Sequence, residues 1–243
     1  MPRGAFLHIT GGLGENKLAL TTCLREVNPP LFGQSPAILL VTTLIALIYL
    51  FIMHRALNRL QMGKIDALFL IGAMFVGGRL PILPLAGNLH ANIGGAIIPL
   101  GICAYLVWIA ESRVEKFRGL VTALIAAGVI WLIDRTFPLS PGSWGYLLDP
   151  LYLPAAVAGG IAYLLGRSRR SAFIGGVLAI LVLDIAAWGE NIFRGIHANN
   201  PIILGGAGIF DATLVAGVIA VMLAEVIGEV RERLERGSEE DKG

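Results

Sequence analysis

Seven apolar runs, each about as long as a bilayer is thick, leave few folds open to this chain. They cover roughly residues 37–54, 66–87, 92–110, 119–137, 150–166, 171–188 and 203–227. A helix of about 20 apolar residues crosses the hydrocarbon core of a membrane. Between the runs the charges fall in short bursts. Only 15% of the 243 residues are charged, against about 25% in soluble domains. The expected fold is therefore all-α: a polytopic transmembrane helix bundle of about seven spans over residues 37–228. An external N-terminal segment, 1–36, would precede it, and a charged cytoplasmic tail, 229–243, would follow.

Charge fixes the expected orientation. The connections after spans one, three, five and seven hold Arg55, Arg59 and Lys64; Arg113, Lys116 and Arg118; Arg167, Arg169 and Arg170; and Arg231, Arg233, Arg236 and Lys242. These are 13 of the 19 Lys and Arg residues. The positive-inside rule makes that side cytoplasmic, which puts the amino terminus outside and the carboxyl terminus inside. The opposite side carries loops rich in Gly, Pro and Asn at 87–92, 140–145 and 190–200, which read as irregular connections. Trp131, Trp144, Tyr146, Tyr152 and Trp188 gather near them, as an aromatic belt does. Residues 1–36 lack a continuous apolar stretch and do not read as a cleavable signal peptide.

Several function classes drop out. No basic face with aromatic or polar readers supports nucleic-acid binding. Cys23 and Cys103 form no metal or redox motif, and His8, His54, His90 and His197 show no ligand spacing. Gly205-Gly-Ala-Gly-Ile-Phe is expected to follow no strand and lacks the acidic partner of a dinucleotide loop. No metal or cofactor is expected. The glycine pairs 94–95, 159–160, 175–176 and 205–206 read first as sites of close helix packing.

What remains is a layer of polar groups within the spans. A carboxylate in hydrocarbon costs about 2.5–3.5 kcal/mol even on lenient scales. Asp184 and Asp211 would lie at matching heights, about 20 Å from the cytoplasmic border. Arg79 and Asp134 fall in the same outer third, with Asn92, Asp149 and Glu190 nearer the surface. Each has a plainer alternative. Asp134 would mark the interface, and Asp149 before Pro150 would cap a helix. Glu190 and Arg194 would belong to a solvated loop. Arg79 would either snorkel outward or neutralise one of the aspartates. Asp184 and Asp211 themselves would form either a catalytic pair or a polar clasp between two helices.

Two segments, Asn92-Ile-Gly-Gly-Ala-Ile-Ile-Pro99 and Gly205-Gly-Ala-Gly-Ile-Phe-Asp211, resemble a family of prokaryotic membrane proteins known as domain of unknown function 1614. The resemblance runs over about 37–228 and implies a fold without an activity. Gly78-Arg-Leu-Pro81 stands where that family tends to carry Ser and Asn before Ile-Pro. A more distant resemblance, to presenilins and signal peptide peptidases, rests on Asp184 within one span and Gly206-Ala-Gly208 with Asp211 opening the next. Ile209 and Phe210 interrupt that pattern, no tyrosine precedes Asp184, and no Pro-Ala-Leu element follows. The resemblance implies an intramembrane aspartyl protease with Asp184 and Asp211 catalytic. Gly206, Gly208, Arg79, Asn92 and Asp134 would support the site or bind substrate. The expected partners are membrane lipids and a transmembrane peptide, in a prokaryotic plasma (inner) membrane. The alternatives are a proton-coupled or small-solute transporter using Arg79, Asp134, Asp184 and Asp211, and a non-catalytic membrane subunit.

Overall fold

A computed structural model describes residues 36–60, 62–110, 112–136, 152–195 and 201–240. The expectations for residues 1–35, Trp144, Tyr146, Asp149 and His197 lie outside the described residues. Chain contacts define two units, Met1–Tyr49 and Leu50–Gly243. In the first, residues 36–49 form the opening turns of helix α1 (Pro36–Arg59). There the hydroxyls of Thr42 and Thr43 donate to the carbonyls of Ile38 and Leu39, at 3.0 and 2.7 Å. Back-bonding of this kind satisfies hydroxyls inside an apolar helix.

The second unit is mostly helical. After α1 come α2 (Lys64–Gly77), strands β1 (Leu83–Ala86) and β2 (Leu89–Ala91), and a π-helical turn over Ile93–Ile97. Helices α3 (Ile98–Ile109), α4 (Arg113–Thr136), α5 (Tyr152–Gly166) and α6 (Arg169–Phe193) follow. Strand β3 (Ile202–Leu204), a 3₁₀ turn (Gly208–Phe210) and α7 (Ala212–Glu240) complete the unit. Among the described residues, four helical stretches are long and apolar enough to cross a membrane: α1, α4, α6 and Ala212–Val230 of α7. The chain is a membrane protein.

Two of the expected spans, 66–87 and 203–227, are not continuous helices. Over 66–87 the helix stops at Gly77, and Pro81 and Pro84 then hold the chain extended. Gly87, at φ 54°, turns it back into β2. The span over 92–110 is helical throughout Ile93–Ile109; it opens with the wide turn, and Pro99 enters at the start of α3, where its missing N–H costs little. The span over 203–227 begins as strand and loop. These irregular stretches satisfy one another in a small sheet, ordered β1-β2-β3, which departs from the all-α expectation. Leu83 pairs with Ala91 in an antiparallel ladder, and Leu89, His90 and Ala91 pair in parallel with Ile202, Ile203 and Leu204. Backbone groups at membrane depth have no water to turn to, so such stretches must pair within the protein.

Small residues hold the bundle together. Helix α6 is buried over most of Ser171–Leu181 and packs against α4, α5 and α7. Gly175 lies against Thr122 and Ala162, Gly176 against the Ala216 carbonyl, and Gly217 against Phe173. Phe173, Leu106 and Leu214 fill the space between them, while many other large apolar side chains point outward: Trp108 is 84% exposed, Phe69 75% and Phe117 70%. Small residues at the helix contacts and a large apolar outer surface fit helices packed in lipid.

Candidate functional site: a cavity walled by aspartate beside interrupted helices

Asp211 owes its place to the glycine loop before it. Gly205 and Gly208 take left-handed φ values of 66° and 61°. The loop folds back so that Gly208 N–H donates to Gly205 O at 2.9 Å. Asp211 Oδ2 then accepts from Ala207 N–H at 3.1 Å. Its Oδ1 accepts from Thr213 N–H at 2.9 Å and from the Thr213 hydroxyl at 2.7 Å. Its carbonyl accepts from Val215 N–H, the first bond of the helix. Asp211 is thus the N-cap of α7, a position that favours aspartate. It is 6% exposed.

Asp184 sits differently. It is half-buried on α6 and faces a cavity of about 420 Å³ between α4, α5 and α6. Ile130, Trp131 and Asp134 of α4, with Leu153 and Val157 of α5, share the wall. At the rim Glu190 is ion-paired with both Arg135 and Arg194. The Arg135 guanidinium lies 4.5 Å from the centre of the Trp131 ring. Glu190 therefore belongs to the end of α6 and to an ion-pair cluster, not to the solvated loop the sequence suggested. Asp211 does not line this cavity; it opens the helix that packs against α6.

The remaining candidates separate. Arg79 is exposed, with its guanidinium 5.1 Å from the centre of the Phe75 ring, and forms no ion pair with Asp184 or Asp211. Of its two expected roles, neutralising an aspartate does not occur. Asn92 is buried and acts as a pin. Its N–H donates to Leu204 O at 2.9 Å, Oδ1 accepts from Gly95 N–H at 3.0 Å, and Nδ2 donates to Gly78 O at 3.4 Å. Gly206 is exposed and packs loosely on Ile203. Gly208 is buried and tied to its positive φ. Among the described residues no group of acids, histidines and cysteines is arranged to hold a metal ion.

One buried acid escaped the sequence reading. Glu225 is 3% exposed. Its Oε1 accepts from Arg55 at 2.7 Å and Arg59 at 2.9 Å. The available signal was the spacing of the two arginines, four apart on one helical face.

The family described as protein of unknown function (DUF1614) matches residues 74–223, more than half of the chain. The chain belongs to that family. The matched stretch starts at the last turn of α2 and takes in the sheet, the glycine loop, Asp184 and Asp211. No curated protein and no solved structure matches the chain.

Proposed function

We propose that this DUF1614 protein is a paired-aspartate hydrolase acting on peptide bonds within the membrane, with Asp184 and Asp211 as its catalytic residues. The carrying observation is the different support given to two acids on packed helices. Asp184 stands on the wall of a cavity of about 420 Å³, while Asp211, on the adjoining helix, is fixed by three donors. Two close carboxylates share one proton. The deprotonated member takes a proton from water, and the other donates a hydrogen bond to the scissile carbonyl oxygen. Water adds to the carbonyl carbon, and the tetrahedral species collapses as the nitrogen receives a proton and leaves as amine. Ile130, Trp131, Leu153 and Val157 supply an apolar wall suited to a transmembrane peptide, with Asp134 at the same wall as a supporting acid. The positive-inside pattern supports an external amino terminus and cytoplasmic carboxyl terminus, and the family a prokaryotic plasma membrane.

The test uses the full chain in lipid nanodiscs with a labelled transmembrane peptide and mass-spectrometric detection of products. Cleavage should fall about 100-fold or more in Asp184→Asn and in Asp211→Asn. A wild-type protein that cleaves nothing, or variants as active as wild type, would remove the proposal.

The interrupted helices favour a second reading, proton-coupled or small-solute transport. Broken helices mark ion and substrate sites in many transporters. In proteoliposomes carrying an internal pH dye, a proton flux lost in Asp184→Asn, without peptide cleavage, would put transport first.

A further inference from the structure

A second cavity lies far along the helices from the aspartates, where the end of α1, the start of α4, the α5–α6 turn and the later part of α7 meet. It measures about 820 Å³, and four guanidiniums line it: Arg59, Arg167, Arg169 and Arg170. The single carboxylate in the wall, Glu115, is already bonded by the Ser168 hydroxyl at 2.7 Å. Arg59 is held by Glu225 at 2.9 Å. Arg167, Arg169 and Arg170 have no hydrogen-bonded or ion-paired acid among the described residues. With Arg59 already paired, the lining sets the three guanidiniums of Arg167, Arg169 and Arg170 against the one carboxylate of Glu115.

Topology alone does not account for this. The positive-inside rule asks for basic residues near the cytoplasmic border and is indifferent to whether they converge. Here they converge on one concavity, and the turn that delivers three of them is tightly built. Arg167 takes a left-handed φ of 57°, Ser168 caps α6 by accepting from Ser171 N–H at 3.1 Å, and the Ser171 hydroxyl donates to Glu115 O at 3.2 Å. Like charges gathered around one cavity repel unless an anion lies between them. Guanidiniums suit phosphate in particular, because two N–H groups meet two oxygens in parallel. The start of α6 adds its own positive end.

We propose that this cavity binds a phosphate-bearing ligand through Arg167, Arg169 and Arg170, with Arg59 held in place by Glu225. The volume far exceeds a lone phosphate and falls in the range of small-molecule sites. Leu164 and Ile227, both in the wall, are 70% and 42% exposed and give the cavity an apolar flank. That chemistry fits either the headgroup of an anionic phospholipid or a soluble phosphate ester.

The test uses the full chain in phosphatidylcholine nanodiscs, with thermal unfolding and binding followed together. One arm titrates short-chain phosphatidylglycerol, and the other titrates pyrophosphate. Saturable binding of either probe is expected, and the probe that saturates at the lower concentration identifies the source. Changing Arg167, Arg169 and Arg170 to Ala should weaken that binding by about tenfold or more. Removing the same number of charges at Arg231, Arg233 and Arg236 should change it less than about twofold. Arg170→Gln alone, should the triple variant misfold, should still weaken binding measurably, and Arg170→Lys should restore only part of it. Absence of saturation with both probes overturns the site. So does equal loss in the cavity and tail variants, which would mark diffuse electrostatic attraction.

Discussion

Asp211 carries two demands at once, and its structural share can be measured. Asp211→Ala removes the cap of α7 and should cost about 1–2 kcal/mol. Thr213→Val removes one of the three bonds and should cost about 1 kcal/mol. Thermal unfolding in detergent reads both, and a neutral Asp211→Ala would show that the cap is not holding the helix. The glycines divide as sharply. A Cβ on Gly95 would stand 2.1 Å from Gly205 O, and one on Gly94 2.1 Å from Met74 O. Both obstacles are backbone and cannot swing aside. Gly95→Ala should therefore abolish a stable fold. Gly72 and Gly101 have nothing within 4 Å, so alanine there should be neutral or stabilise by up to about 1 kcal/mol. The sequence suggested close packing at Gly94-Gly95 but did not distinguish these glycines from the replaceable ones. That difference lies in what faces each position.

At the scale of elements, the Arg55–Glu225–Arg59 cluster ties the end of α1 to α7, with the acid buried and the two arginine side chains 45% and 46% exposed. The two sides should therefore respond unequally. Arg55→Ala with Arg59→Ala leaves a buried carboxylate unpaired and should cost about 3 kcal/mol or more. Glu225→Leu leaves two arginines that can turn to water and should cost much less. Equal losses in a detergent melt would contradict that account. The sheet is the other element-scale result. Its strands are three or four residues long and lie inside runs that read as continuous apolar helix. Prolines 81 and 84 and the glycines were visible signals, but the pairing of β2 with β3 joins segments more than a hundred residues apart. Local pattern carries no trace of such a contact.

For the whole molecule, the charge pattern predicts an external amino terminus and a cytoplasmic carboxyl terminus. A fluorescent reporter fused after Gly243 should fold and fluoresce in the cytoplasm. A cysteine placed at Gly87 should react only with impermeant reagent added from outside. Labelling of Gly87→Cys from the cytoplasmic side would reverse the orientation. Cys103, 2% exposed, should stay unlabelled until the protein is denatured.

The sequence by itself determined that the chain lives in a membrane as packed helices. It also marked which side should carry the positive charge and which acids stand in costly positions. Those properties follow from run length, local charge and the price of burying a carboxylate, all of which are additive along the chain. Tertiary structure alone decided what the acids face: Asp184 a cavity shared with Asp134, Asp211 its own helix cap, Arg79 the ring of Phe75, and Glu225 two arginines from the other end of the sequence. A side chain's partner depends on helix rotation and on where the backbone breaks. Both are set by glycine contacts between segments that are distant in the chain.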